Sequence, residues 1–230
     1  MQALRDLFDG QLPALILFDL DGTLVDSVPD LADAIDTMLE GEGLPLAGEA
    51  QVRHWVGNGA RMLVRRALTW GLGLTDGEEL DSARFDAGHQ GFLRAYRTRF
   101  HRRTLLYPGV LDCLEQLHGA GIPMGLVTNK PQEFIAPLLE HFEIAPYFKL
   151  SLGGDSLAAK KPDPLPLRHA CEAFGVTPAQ CLMVGDSRND ILAARACGMP
   201  VVALSYGYNH GEPIEATQPD RVIDSLTALL

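Results

Sequence analysis

The apolar run Leu15-Ile16-Leu17-Phe18 breaks off into Asp19-Leu20-Asp21-Gly22-Thr23. If residues 15–20 form a buried strand, successive side chains alternate between faces. Asp19 and Asp21 then leave its carboxyl end on one side. Two carboxylates that close are costly unless a cation or a proton separates them. The doublet therefore points to a hard metal such as Mg²⁺, which prefers oxygen ligands, or to an acid/base pair. Taken alone, Asp-Gly is also a common turn dipeptide, so the rest of the chain has to decide.

From residue 104 the pattern alternates strand and helix. Met124-Gly125-Leu126-Val127-Thr128, Leu150-Ser151-Leu152, Cys181-Leu182-Met183-Val184, Val201-Val202-Ala203-Leu204 and Arg221-Val222-Ile223 read as strands. Helical spacing of Val110, Leu114 and Leu117, of Phe134, Ile135, Leu138 and Leu139, and helices around 163–174 and 188–197 fill the gaps. This alternation predicts an α/β fold, a doubly wound, Rossmann-like parallel sheet with right-handed crossovers. In such sheets ligands bind beyond the carboxyl ends of the strands. Residues 28–102 contain no buried-strand run. Leu31, Ile35, Met38 and Leu39 predict one amphipathic helix, Val56 to Leu68 another, and 78–99 a charged third. The expected organisation is a core of 1–27 and 103–230, with a helical cap domain, 28–102, inserted after the first strand. Such a cap can close a site against water.

Three further polar segments fall at expected strand ends. Thr128-Asn129-Lys130 offers a hydroxyl and an amide to phosphoryl oxygens, although Thr and Asn also favour helix N-caps. In Lys160-Lys161-Pro162-Asp163-Pro164 one lysine, fixed by the neighbouring prolines before a helix, can neutralise phosphate and an aspartyl anion together, or the two are a solvated pair. Gly185-Asp186-Ser187-Arg188-Asn189-Asp190 brings two more carboxylates, with Asp190 one helical turn beyond Asp186. Together these segments carry Asp19, Asp21, Asp186 and Asp190 to one sheet edge, with Thr128, Asn129 and Lys161 around them. Four uncompensated carboxylates are destabilising, so a divalent cation is implied.

Composition narrows the partners. A net charge of −11 argues against nucleic acid, which selects clustered Lys and Arg. An anionic substrate then requires a locally positive site. The four cysteines show no CxxC spacing and read as core residues in a reducing compartment. The seven histidines show no ligand spacing, which argues against zinc. No apolar run approaches the ~20 residues of a membrane span. The first residues lack a signal-peptide pattern. A cytoplasmic protein, free of membrane, is expected.

With these motifs in this order, the sequence resembles the haloacid-dehalogenase-like phosphatase superfamily. The resemblance rests on Asp19-Leu20-Asp21-Gly22-Thr23, Thr128-Asn129-Lys130, Lys161-Pro162-Asp163-Pro164 and Gly185-Asp186-Ser187-Arg188-Asn189-Asp190. Trp55-Val56-Gly57-Asn58-Gly59-Ala60, Gly185-Asp186-Ser187-Arg188-Asn189-Asp190-Ile191 and Tyr206-Gly207-Tyr208-Asn209-His210-Gly211-Glu212-Pro213 make it similar to the bacterial phosphoglycolate phosphatases in particular. His210 has no role on this reading.

The resemblance implies an aspartyl-phosphate mechanism. Asp19 is the nucleophile. Asp21 is the general acid/base through its side chain and a metal ligand through its backbone carbonyl. Asp186 is the remaining direct Mg²⁺ ligand, and Asp190 orients a metal-bound water or Lys161. Thr128, Asn129 and Lys161 hold the transferring oxygens. An acid/base group at Asp21 favours phosphate esters over haloacids, and argues against a silent sensor, which needs no such group. The expected substrate is a small phosphorylated carboxylic acid, 2-phosphoglycolate. The alternative is a capped phosphatase or phosphomutase acting on sugar phosphates. Backbone amides of Gly57-Asn58-Gly59 suit a small carboxylate. Arg66 is the candidate counter-charge, with Arg61 and Arg65 on a solvated face. A monomer or a homodimer is expected.

Overall fold

The computed structural model describes residues 1–75 and 78–230. The chain divides into two compact units, Met1–Asp26 with Leu106–Leu230, and Ser27–Leu105. The first division falls one residue before the expected 27/28 junction and the second three residues after 102/103. Two-residue strands, β2 (Val25–Asp26) and β3 (Leu105–Leu106), mark these two points.

The first unit is built on six strands: β1 (Leu15–Phe18), β4 (Met124–Val127), β5 (Phe148–Leu152), β6 (Cys181–Gly185), β7 (Val201–Leu204) and β8 (Arg221–Ile223). They pair in the order β5-β4-β1-β6-β7-β8, every pair parallel. Every residue of β1, β4, β6 and β7 is buried, as continuous apolar runs in a sheet covered on both faces require. Leu15 and Leu17 of β1, Cys181 and Met183 of β6, and Val201 and Ala203 of β7 share one face. That face packs against α8 (Leu165–Phe174) and α9 (Arg188–Cys197). The same unit carries α1 (Gln2–Leu7), α6 (Val110–Gly119) and α7 (Ile135–His141). All four cysteines are reduced, and Cys197 alone is only half-buried.

The central strand β1 lies between β4 and β6, with Phe18 level with both Leu126 and Val184. From β1 the connections step outward to β4 and β5, then jump back across to β6. The carboxyl ends flanking β1 therefore form a topological switch point, where α/β sheets open a crevice.

The second unit is helical: α2 (Val28–Gly41), α3 (Gly48–Arg53), α4 (Ala60–Gly71) and α5 (Ser82–Arg97). The periodic apolar set Leu31, Ile35, Met38 and Leu39 is buried, together with Val64, Leu68, Phe85, Phe92 and Tyr96. Two expectations need correction. The helix expected from Val56 begins only at Ala60, because Gly57 and Gly59 adopt φ values of 117° and 83° that break it. The helix expected over 78–99 begins at Ser82, where the Asp81 carboxylate accepts from the Arg84 N–H at 2.8 Å. The six-residue helices α1 and α3 were not anticipated; each is too short to show a repeated apolar period.

Asp30 is a buried carboxylate in the middle of this unit's framework. It accepts from the N–H groups of Arg103 and Thr104 at 2.8–3.0 Å and from the Thr104 hydroxyl at 2.6 Å. It thereby fixes the end of the segment after α5 onto the first turn of α2. Replacing it strands those buried donors. Asp30→Ala is expected to lower stability by about 2–4 kcal/mol in urea denaturation, and a loss within error of zero would refute this role.

Candidate active site

Three adjacent strand ends of the first unit bring the polar segments together. Asp19 follows β1 directly, and its N–H donates to the Val184 carbonyl of β6 at 3.0 Å. The Thr128 N–H donates to the Leu152 carbonyl of β5 at 2.9 Å, so the Thr128-Asn129-Lys130 segment starts at the same level. Asp186 follows the end of β6.

Asp19, Asp186 and Asp190 are all buried, and each offers a carboxylate oxygen within 4.8 Å of the others. Lys161 is the cation among them. Its Nζ donates to Asp190 Oδ1 at 2.6 Å and to the Val127 carbonyl at 2.5 Å, and lies 3.1 Å from Asp19 Oδ1. Burial works against the ammonium, but Asp19 and Asp190 outweigh it and hold Lys161 charged. Burial also raises Asp19, to about 6, with Lys161 opposing the shift. Asp186 is raised well above the usual carboxylate range, first by burial and then by repulsion from Asp19 and Asp190.

The three carboxylates are not equally available. Asp190 Oδ1 is taken by Lys161, and its Oδ2 accepts from the Ser187 N–H at 3.0 Å and the Ser187 hydroxyl at 2.9 Å. Asp190 is thus the N3 partner of a capping box that opens α9. Asp186 lies before that helix, so the expected one-turn pairing of Asp186 and Asp190 on a helix face is replaced by this capping arrangement. Asp19 Oδ1 faces the Lys161 ammonium at 3.1 Å as an ion pair but is buried with no aligned hydrogen bond. An oxygen-only donor set with such an oxygen fits a hard divalent cation.

Asp186 is held by a loop that sequence reasoning noticed without assigning. Its Oδ2 accepts from the Tyr208 N–H at 2.6 Å, and its Oδ1 from the Thr23 hydroxyl at 2.7 Å. The Tyr206 hydroxyl donates to the Thr23 carbonyl at 2.8 Å, and the Tyr208 hydroxyl to Asp26 at 2.5 Å. A Cβ on Gly22 or Gly207 would fall 2.2–2.3 Å from Asp186 Oδ2, so only glycine permits this approach. The clue was two aromatics around a glycine immediately after β7, at the same edge of the sheet. His210 has φ of 54° and is not among the three clustered carboxylates.

Asn129 turns inward: its Nδ2 donates to the Lys161 carbonyl at 2.9 Å, fixing the lysine's backbone. Thr128 Oγ1 accepts from the Lys130 N–H at 3.2 Å. Lys130 is a residue to which sequence reasoning gave no role. Its Nζ reaches Asp21 Oδ1 at 2.9 Å and Oδ2 at 3.2 Å.

Within the helical unit, Arg66 donates to the Trp55 carbonyl at 2.5 Å and to Asn58 Oδ1 at 2.9 Å. It braces the Gly57-Asn58-Gly59 loop, and burial lowers its pKa. Arg61 and Arg65 are exposed, with their guanidinium groups 4.7 and 4.8 Å from the Phe85 ring centroid.

This fold and site define a class. Residues 13–198 match the family model described as haloacid dehalogenase-like hydrolase. The chain belongs to that family and is a hydrolase. It is 51% identical over its whole length to a protein of Pseudomonas putida KT2440 named phosphoglycolate phosphatase, covering 83% of that protein. It is 48% identical, with the same coverage, to one of Pseudomonas aeruginosa PAO1 named phosphoglycolate phosphatase 1. Among solved structures, a crystal structure from Haemophilus somnus 129PT, described as a predicted phosphoglycolate phosphatase, matches with a TM-score of 0.89 and 42% identity. That match covers 94% of this chain and 96% of the other. Among the described residues, no helix is long and apolar enough to cross a membrane.

The raised pKa of Asp19 has a consequence for stability. The folded chain binds this proton up to about pH 6, the unfolded chain only to near 3.8. The penalty on the ionised form is complete above about pH 6 and is relieved as the pH falls, and Asp186 shifts in the same direction. Metal-free protein is expected to gain about 1 kcal/mol from Asp19 between about pH 7.5 and 5. Urea denaturation in EDTA tests this. Asp19→Asn should show a shallower pH dependence, and an unchanged slope would refute the assignment.

Proposed function

We propose that this chain is a Mg²⁺-dependent phosphatase that hydrolyses 2-phosphoglycolate to glycolate and phosphate through an aspartyl-phosphate. The observation that carries the reading is the pairing of two differently served carboxylates two residues apart. Asp19 Oδ1 is ion-paired with Lys161 at 3.1 Å without an aligned hydrogen bond, and Asp21 is held by Lys130. One suits a nucleophile and the other a proton carrier. The names of the Pseudomonas relatives support the substrate.

Asp19, Asp186 and the Asp21 backbone carbonyl would hold the cation, which when bound supplies Lewis-acid neutralisation of the phosphoryl charge. The chain's own groups do the rest. An Asp19 oxygen attacks phosphorus as the ester P–O bond breaks, and the Asp21 carboxyl gives its proton to the leaving glycolate oxygen. Asp21 then takes a proton from the water that hydrolyses the aspartyl-phosphate, returning Asp19. Lys161 and the Thr128 hydroxyl stabilise the transferring oxygens. Asn129 fixes the Lys161 backbone and Asp190 its ammonium, so both act largely by positioning. In the helical unit, Gly57, Asn58 and Gly59 remain proposed as sources of backbone N–H groups for the substrate. Arg66 serves them by setting the loop's shape.

Phosphate release from small esters with Mg²⁺ tests the reading. A preference for 2-phosphoglycolate over glucose phosphates and p-nitrophenyl phosphate of around a hundredfold in kcat/KM, about 3 kcal/mol, is expected. Flat or sugar-biased activity would discard the substrate. EDTA should abolish turnover and Mg²⁺ restore it; full activity without a divalent ion would refute the metal model. Asp19→Asn should lose nearly all turnover. Asp21→Asn should slow ester cleavage by about 10²–10⁴-fold while divalent-ion binding, followed by calorimetry, persists. Wild-type turnover in that variant would end the acid/base assignment.

A further inference from the structure

The proposed substrate is anionic at both ends, and the chain that must bind it carries a net charge of −11. The phosphoryl end meets Lys161 and the cation. The carboxylate end needs a counter-charge of its own, because a carboxylate removed from water without one is costly. Two cations considered from the sequence are engaged elsewhere. The Lys161 ammonium is enclosed by Asp19, Asp190 and the Val127 carbonyl. Arg66 spends its guanidinium on the Trp55 carbonyl and Asn58.

We propose that Lys130 reads the carboxylate of the substrate and so sets the preference for a small 2-phospho carboxylic acid. The inference rests on the phosphatase reading above and adds its specificity-determining residue. Four observations carry it. First, Lys130 is a buried lysine, its side chain only 2% exposed, at the carboxyl end of β4 in the crevice beside β1. Second, its Nζ contacts both oxygens of Asp21, the carboxyl that faces the ester oxygen in the proposed reaction. Third, Asp21 stands outside the three-carboxylate group of Asp19, Asp186 and Asp190, so this ammonium serves a different part of the site from Lys161. Fourth, its backbone is fixed: the Lys130 N–H donates to Thr128 Oγ1 at 3.2 Å, and its carbonyl accepts from the Gly154 N–H at 2.8 Å. A Cβ on Gly154 would lie 2.4 Å from the Asn129 carbonyl oxygen, so the close approach that pins this segment requires glycine.

Substrate chemistry supplies the link. In 2-phosphoglycolate the carboxylate carbon is two bonds from the ester oxygen. A pose that puts the ester oxygen at Asp21 therefore brings the carboxylate alongside the ammonium that grips Asp21. A phosphate ester of the same length with an uncharged leaving group, such as ethyl phosphate, presents a methyl group there and offers the ammonium no second anion beside Asp21. A site built to pair a charged group discriminates strongly against analogues that lack it.

The test compares kcat/KM of the Mg²⁺-loaded enzyme for 2-phosphoglycolate and ethyl phosphate in wild type, Lys130→Met and Lys130→Arg. The wild type is expected to prefer 2-phosphoglycolate by about a hundredfold. Lys130→Met should collapse that ratio to within about threefold of unity, mainly through KM for 2-phosphoglycolate, and should lose competitive inhibition by glycolate. Lys130→Arg, which keeps the charge, should recover part of both. If Lys130→Met does not fold, Lys130→Gln, with a polar tip and no charge, takes its place. A variant that slows both esters by the same factor, with the ratio intact, makes Lys130 only a positioning residue for Asp21 and overturns the proposal. A wild type without the preference overturns the proposed substrate and this inference together, whereas a preference that survives Lys130→Met overturns this inference alone.

Discussion

Everything at this sheet edge follows from the cost of crowding carboxylates out of water. Asp19, Asp186 and Asp190 offer oxygens within 4.8 Å of one another with little access to solvent. Lys161 neutralises part of that charge; burial first, and then the remaining repulsion, raise the pKa values of Asp19 and Asp186. A chain selected for stability alone would not keep such a cluster, since unpaired buried charge is among the costliest arrangements available. A divalent cation at the proposed site would relieve this strain and bind the more tightly for it. The parallel sheet makes the cluster possible by delivering three backbone ends side by side at its switch point.

Crowded charges also have to be kept apart in orientation, and the structure assigns each carboxylate its own donors. Asp190 is turned toward Ser187 and Lys161, with both oxygens engaged. Asp186 is clasped by Thr23 and the Tyr208 N–H, with Gly22 and Gly207 clearing space for it. Asp21 is gripped by Lys130, and Asp19 keeps an oxygen without a hydrogen bond. Four chemically identical groups thereby acquire different surroundings: Asp190 braces, Asp186 is clasped by a hydroxyl and an N–H, Asp21 is paired with Lys130, and Asp19 meets only part of the Lys161 charge. The division of labour is set by neighbours rather than by residue type, the same logic by which environment separates paired carboxylates in other hydrolases.

This distinction also explains what was legible in the sequence. The strands β4, β6, β7 and β8 and the helix α9 were readable because apolar runs and capping signals are local. The residues that meet at the edge were readable because they follow those strands directly. The side-chain bonds were not. Asn129 reads as a phosphate donor or a helix N-cap, and only the 2.9 Å contact shows it bracing the Lys161 backbone. Arg66 reads as a free counter-charge until the Trp55 carbonyl, eleven residues away, is found against it. The Tyr206-Gly207-Tyr208 loop stands out as two aromatics around a glycine, but what it holds could not be read, because its partners Thr23, Asp26 and Asp186 are remote in the chain.

Lys130 shows the limit from the other direction. In sequence it is the third residue of Thr128-Asn129-Lys130, behind two groups with obvious phosphate-binding chemistry. Folding reverses the priority, because Thr128 and Asn129 spend bonds on holding the segment and Lys161, while Lys130 reaches Asp21, the proposed acid/base carboxyl. The two lysines thereby divide the site along the axis of the proposed reaction, Lys161 at the attacking carboxylate and Lys130 at the leaving group. Chemistry at phosphorus is common to many esters, so Lys161 has little to discriminate. The leaving group is where esters differ, and the buried Lys130 ammonium beside Asp21 is the group that, in the proposed reaction, would respond to that difference.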